Sequence, residues 1–215
     1  MVARLGSELS FPSPAQASKE GLLAWGGDLR VERLKAAYQQ GIFPWYQEEG
    51  PILWWSPDPR CVLWPSDLYV SKTTKRFNRR YEVSFDQAFS EVVRLCANKR
   101  TTTWITPQMQ AAYERLHKTG MAHSVEVYEA GQLIGGVYGV CVGGVFCGES
   151  MVSLAPNASK VALLALCTTY NKNLRLIDCQ VPNAHLFSLG ASTLSREKFL
   201  AILREEHHHP CGIGA

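Results

Sequence analysis

Two rhythms of hydrophobic and polar positions divide the chain. Up to about residue 120 the apolar residues recur mostly at helical spacing between Gly-, Pro- and Trp-rich segments; beyond it they alternate or run together as strands do. Residues 1–28, with Pro12, Pro14 and the Gly26-Gly27 pair, predict an irregular lead-in. Asp28 is placed to cap a helix carrying Val31, Leu34, Ala37 and Tyr38, closed by Gly41. Ser84 or Asp86 opens an amphipathic helix with Phe89, Val92, Val93 and Cys96, and the polar turn Asn98-Lys99-Arg100 follows it. Thr106 as cap and Pro107 as first helical residue start another, with Met109, Ala112, Tyr113 and Leu116 inward and Gly120 at its end.

Alternation of Val125 and Val127 predicts a strand over 123–128, Gly131-Gln132 a turn, and 133–142 a Gly-rich strand that Gly143-Gly144 returns into Val145-Phe146-Cys147. Gly148-Glu149-Ser150-Met151 reads as a polar loop at that strand's end, where a ligand would be met. Asn157 caps a helix to about Tyr170, with Val161, Leu164, Ala165 and Thr168 on one face. A buried strand over 176–181 then makes 148–178 a β–α–β crossover, so the sheet is partly parallel. Residues 195–203 form the last helix.

The strand at 176–181 is apolar except at Asp178 and Gln180. Residues two apart on a strand share a face, so the carboxylate and the amide should project together, roughly 7 Å apart at the backbone. A carboxylate in such a strand costs several kcal/mol of desolvation unless it is hydrogen-bonded or used. Two readings stand: a satisfied structural Asp, or a general base oriented by the neighbouring amide.

Composition narrows the class more than the chemistry. The chain is 46% hydrophobic and 10% aromatic, which excludes disorder, and its net charge is only +3. Seven cysteines without a Cys-x-x-Cys pair, mostly inside apolar segments, predict reduced core thiols and a cytoplasmic protein. There is no run of about 18 apolar residues and no apolar leader, so no membrane association is expected. The charge is unevenly spread. Lys72, Lys75, Arg76, Arg79 and Arg80 stand in nine positions without one acid and fall on one face of a helix, which favours phosphate binding over a merely solvated surface. Four of the six tryptophans lie between 45 and 64, a rigid core or a stacking wall for bases. His207-His208-His209 near the tail is given no site, and no metal spacing, phosphate loop or dinucleotide loop occurs, so no metal or cofactor is expected.

Meander strands, a helix and a returning strand with a polar residue resemble the coenzyme-A-dependent N-acetyltransferases. Their pyrophosphate-binding glycines have no counterpart in Ser153-Leu154-Ala155-Pro156-Asn157-Ala158-Ser159. Gly26-Gly27-Asp28-Leu29, Gly41-Ile42-Phe43-Pro44-Trp45, Trp54-Trp55-Ser56-Pro57-Asp58-Pro59-Arg60, Thr103-Trp104-Ile105-Thr106, Phe146-Cys147-Gly148-Glu149-Ser150-Met151, Asn157-Ala158-Ser159-Lys160 and Ile177-Asp178-Cys179-Gln180, in that order, resemble the bacterial leucyl/phenylalanyl-tRNA–protein transferases. The resemblance runs from about residue 11 to 203. It implies an α+β fold, with a small N-terminal α/β domain (1–60) packed on an N-acetyltransferase-like domain with a mixed sheet (61–215).

It also implies transfer of Leu or Phe, with Met a further candidate, from charged tRNA to proteins beginning with Lys or Arg, which creates a degradation signal. No cofactor is needed, because the ester is already activated. By the family pattern Asp178 and Gln180 are catalytic. Glu149 pairs with a substrate amino group, and Trp45 and Trp104 wall the terminal adenosine, with Tyr38, Tyr113, Ser153 and Asn183 nearby. Val137, Phe146 and Leu166 shape the amino-acid pocket, and the five basic residues hold the acceptor-stem backbone. This chain departs from the pattern at Leu154, where the family usually has Arg, and at Val137 and Leu166, where it often has Met and Phe. Nothing suggests oligomerisation, so a monomer is expected. A coenzyme-A-dependent N-acetyltransferase and a non-catalytic tRNA-binding module are the alternative readings.

Overall fold

The computed structural model describes residues 2–98, 103–170, 172–206, 208–209 and 212–213. In chain order the strands are β1 (Ala3–Leu5), β2 (Leu22–Gly26), β3 (Phe43–Pro44), β4 (Leu53–Trp55), β5 (Arg60–Leu63), β6 (Glu82–Phe85), β7 (Ala122–Glu129), β8 (Gln132–Val142), β9 (Val145–Ser153), β10 (Leu176–Gln180) and β11 (Ser192–Leu194). The helices are α1 (Val31–Tyr38), α2 (Lys72–Asn78), α3 (Phe89–Asn98), α4 (Pro107–Lys118), α5 (Ala158–Thr169), α6 (Ala184–Ser188) and α7 (Arg196–Glu206). Strands β1, β2, β4 and β3 form a four-stranded sheet in that order. The seven-stranded sheet runs β11-β5-β10-β9-β8-β7-β6. In it β9 and β10 are parallel around the crossover helix α5, and the other neighbours are antiparallel. The fold is therefore α+β with a mixed sheet.

Several predicted elements need correcting. The lead-in is not irregular: β1 and β2 pair in parallel, and β2 pairs with β4. Asp28 lies outside α1, whose cap position is Arg30; the Asp28 carboxylate instead accepts the Arg30 N–H at 3.0 Å. Ser84 belongs to β6, a strand too short for its alternation to stand out, and α3 starts at Phe89. The polar loop at 148–151 is the middle of β9, which continues to Ser153. The inward face of α5 also differs: Thr168 is exposed, whereas Leu163, Leu166 and Cys167 are buried. Thr106 caps α4 as predicted, its hydroxyl accepting the Met109 N–H at 3.2 Å. Cys61, Cys147, Cys167 and Cys179 are free thiols, but Cys141 is disulfide-bonded, against the all-reduced expectation. The predicted turn residues Lys99 and Arg100 and the tail residue His207 lie outside the described residues.

Two clusters of buried side chains hold the fold. One joins both sheets, bringing Leu23, Leu34, Phe43 and Trp54 together with Val62, Phe89, Tyr113, Val140 and, from α7, Phe199. The other lies between α5 and the large sheet and contains Leu63, Val137, Phe146, Leu163, Leu166 and Ile177. Each such fully buried side chain contributes about 1.5–3 kcal/mol. Gly41 (φ 70°) lets α7 approach closely, since a Cβ there would stand 2.5 Å from Leu200 Cδ2.

Candidate active site

The parallel pairing of β9 with β10 runs from Leu176↔Val145 to Asp178↔Cys147 and stops there. Just past that point each strand carries a bulge. On β9 the register with β8 skips from Gly139↔Gly148 to Tyr138↔Ser150, leaving Glu149 unopposed. On β10 the register with β5 skips from Asp178↔Val62 to Gln180↔Cys61, leaving Cys179 unopposed. Bulges re-aim side chains, and here both do so at one spot. Gln180 adopts φ 61°, a left-handed conformation that costs a non-glycine residue about 1 kcal/mol or more unless its surroundings fix it. They do: its N–H donates to Asp178 Oδ1 at 2.9 Å and its Nε2 to Glu149 Oε1 at 2.9 Å.

The β10 bulge overturns the expectation that Asp178 and Gln180 share a face. Gln180 lines a cavity, whereas Asp178 is wholly buried behind it. Arg60 Nε and Nη2 donate to the two Asp178 oxygens at 2.8 and 2.7 Å, and Nη1 donates to the Gly41 carbonyl at 3.0 Å. The guanidinium also lies between the rings of Phe43 and Phe199, 4.9 and 4.5 Å from their centroids. Burial opposes the charge on Arg60, but Asp178 outweighs it and holds the group above its ordinary value. With Oδ2 bonded to Arg60, and Oδ1 to Arg60 and the Gln180 N–H, Asp178 fixes the backbone that presents Gln180.

Glu149 is 8% exposed. Its Oε1 accepts from Tyr38 at 2.7 Å as well as from Gln180, and its Oε2 is bonded to Tyr113 at 2.7 Å. Burial pushes its pKa up to about 7, opposed by the tyrosine hydroxyls and the Gln180 amide and assisted by the charge of Asp178. Burial, with Glu149 close by, pushes Tyr38 and Tyr113 well above the ordinary tyrosine value.

Gln180 and Glu149 form part of the wall of a cavity of about 240 Å³. The wall brings together eight of the twelve catalytic and substrate-binding residues expected from sequence: Trp45, Trp104, Val137, Phe146, Glu149, Leu166, Gln180 and Asn183. Tyr38 and Tyr113 sit behind Glu149, and Asp178 behind Gln180. Ser153 is elsewhere: its hydroxyl accepts the Ser159 N–H at 2.8 Å and so caps α5. Trp45 is 43% exposed and tilts against Trp55 at 5.9 Å, while Asn183 accepts the Leu186 N–H at 2.9 Å and caps α6. Sequence reasoning missed Arg60, Met151, Leu163 and Cys179. Arg60 carried a usable signal, because a lone Arg next to the apolar run 61–64 needs an acid just as Asp178 needs a base.

Lys72, Lys75 and Arg76 lie on α2, with Arg79 and Arg80 in the turn after it, and all five are exposed. Arg80 is ion-paired with Glu129, an acid that the local sequence does not show. Thr74, buried on the other side of α2, donates to Asn157 Oδ1 at 3.2 Å and ties α2 to the start of α5. None of the five basic residues lines the cavity.

Residues 62–204 match the family described as leucyl/phenylalanyl-tRNA protein transferase, and residues 27–58 match its N-terminal domain. The leucyl/phenylalanyl-tRNA–protein transferase of Syntrophobacter fumaroxidans is 53% identical over 95% of this chain and 90% of its own length. That of Vibrio cholerae is 54% identical over 91% and 83%. The chain belongs to the leucyl/phenylalanyl-tRNA protein transferase family. It is accordingly an aminoacyltransferase, and the paired bulges described above are the local structure of this family member. Among solved structures, a GCN5-related N-acetyltransferase from Kribbella flavida is similar at a TM-score of 0.42 and 11% identity, over 75% of this chain and 60% of that one. Among the described residues of this transferase-family chain, no group of three or more His, Cys, Asp or Glu could hold a metal, and no helix is long and apolar enough to cross a membrane.

Proposed function

We propose that this chain transfers Leu or Phe, with Met a further candidate, from aminoacyl-tRNA to the α-amino group of proteins beginning with Lys or Arg, forming a peptide bond and marking them for degradation. The observation that carries the reading is an apolar cavity into which the bulged strands β9 and β10 present Glu149 and Gln180. The amino-acid side chain enters among Val137, Phe146, Leu163 and Leu166, which sort it by shape. Trp45 and Trp104, on the same wall, receive the terminal adenosine, with Asn183 beside them. Gln180, held by Asp178 and Arg60, orients the ester carbonyl and the attacking amine. The ester is activated, so positioning and a proton path suffice. Lys72, Lys75, Arg76, Arg79 and Arg80 hold the tRNA backbone without reading its sequence. Two domains, 1–60 and 61–215 with an N-acetyltransferase-like topology, and a monomeric cytoplasmic enzyme complete the reading. Coenzyme A fits less well: the segment 153–159 has no glycine, and the Ser159 N–H at the start of α5 is already taken by Ser153.

The test supplies radiolabelled Leu-tRNA and Phe-tRNA with a peptide beginning with Arg, using the parent and Gln180→Ala. Labelled peptide from the parent, and a loss of about a hundredfold in the variant, is expected. Charged tRNA that binds the parent but never labels the peptide would refute the transfer reaction.

A further inference from the structure

Tyr38, Tyr113 and Glu149 close a ring of three oxygen–oxygen contacts: 2.7 Å from Tyr38 to Oε1, 2.7 Å from Tyr113 to Oε2 and 2.5 Å between the two hydroxyls. Each contact is at hydrogen-bonding distance and needs one hydrogen between its oxygens. The two hydroxyls supply two. An ionised carboxylate brings none, so one contact would set lone pair against lone pair among residues that are at most 8% exposed. A neutral carboxyl group brings the third hydrogen. The ring then has one direction, because Oε1 already receives the Gln180 amide. Oε2–H donates to Tyr113, Tyr113 to Tyr38, and Tyr38 to Oε1.

We propose that Glu149 is a neutral carboxylic acid in the substrate-free enzyme, and that it supplies the proton that reaches the departing ribose oxygen during transfer. The second half rests on the aminoacyl-transfer reading above. In that step the acceptor nitrogen bonds to the ester carbonyl carbon. The bond from this carbon to the ribose oxygen breaks, and its electron pair stays on the oxygen. Glu149 gives that oxygen its proton and takes up the one released by the nitrogen, so the ring ends as it began and no outside acid or base is consumed.

The surroundings favour the neutral form. Tyr38 of α1 and Tyr113 of α4 face Glu149 directly, as does Gln180 of β10. Tyr138 of β8, whose buried hydroxyl has no hydrogen-bond partner among the described residues, is pushed further up by Glu149 after burial. The Cys147 thiol of β9 is raised by burial and then by Asp178. The charge of Asp178 disfavours a second anion, and Arg60 of β5, the cation among these groups, is committed to Asp178. The energetics of burial agree, with a pKa of about 7.

Infrared difference spectra of parent minus Glu149→Gln, recorded without substrate on the whole chain, test the protonation state. A carboxylic C=O stretch at mildly acidic pH, shifted in deuterated water and titrating away with a midpoint of about 7, is expected. A difference spectrum without that band, taken against a Glu149→Gln protein whose circular dichroism matches the parent, overturns the proposal whatever the activity. The transfer assay then tests the step. A loss of about a hundredfold in kcat for Glu149→Gln, with KM for charged tRNA little changed, is expected; unchanged transfer would remove Glu149 from the chemistry. A parent that shows the band but transfers nothing would instead refute the proposed function and leave the neutral ring standing.

Discussion

At the scale of single residues, the site is a chain of commitments in which each polar group is spent on the next. Arg60 holds Asp178, Asp178 holds the Gln180 backbone, and the Gln180 side chain holds Glu149. Breaking the buried pair leaves an uncompensated charge, so Arg60→Ala should lose about 3–5 kcal/mol of stability, read from the urea midpoint. Asp178→Asn should destabilise through the same pair, so lost activity in that variant reports a displaced Gln180. Glu149 makes the opposite kind of claim. Its folded pKa is raised from 4.5 to about 7, so its proton stabilises the folded state in full below about pH 4.5, and that contribution is lost as pH rises through about 7. The parent's melting temperature should therefore fall relative to that of Glu149→Gln between these limits, and parallel curves would contradict it. The identities of Asp178, Gln180 and Glu149 were legible in the sequence. Their geometry was not, because a bulge is a two-against-one count that only the partner strand reveals.

At the scale of elements, periodicity worked where one face was buried and failed where burial was nearly complete or the element very short. Helix α4 announced itself through Thr106, Pro107 and four inward residues. Helix α5 is packed by the large sheet and by α2, so its buried positions exceed one stripe and the predicted face was off. Strands β1, β2, β6 and β11 are three to five residues long and owe their existence to partners distant in sequence. Helix α2 carries its cations outward while Thr74 anchors it. Replacing Lys75 and Arg76 with Glu should weaken tRNA binding and flatten the dependence of log K on log salt by about 2, since each phosphate contact contributes roughly 0.9. An unchanged slope in filter-binding titrations would take the phosphates away from α2. The ion pair with Glu129 makes Arg80 the least available of the five.

At the scale of the whole molecule, the two sheets share a core, so the 1–60 segment is more than an appendage. Trp54 and Phe43 pack in the same buried cluster as Tyr113 and Val140. Calorimetry should accordingly show one cooperative transition, with the calorimetric enthalpy equal to the van't Hoff enthalpy; two resolved transitions would mean that the sheets unfold independently. The α+β class and the parallel crossover could be read from the sequence, because β9–α5–β10 is a local unit with strong signals. The first sheet could not, since its strands are brief and cross-connected. Arg60 emerges from the ribosome more than a hundred residues before Asp178, and further still before Phe199, the two neighbours that neutralise and cover it. The order of synthesis thus sets the order of assembly: a growing chain carries Arg60 without its counter-charge until β10 has been made, so this buried pair closes only after β6 to β9 have left the ribosome.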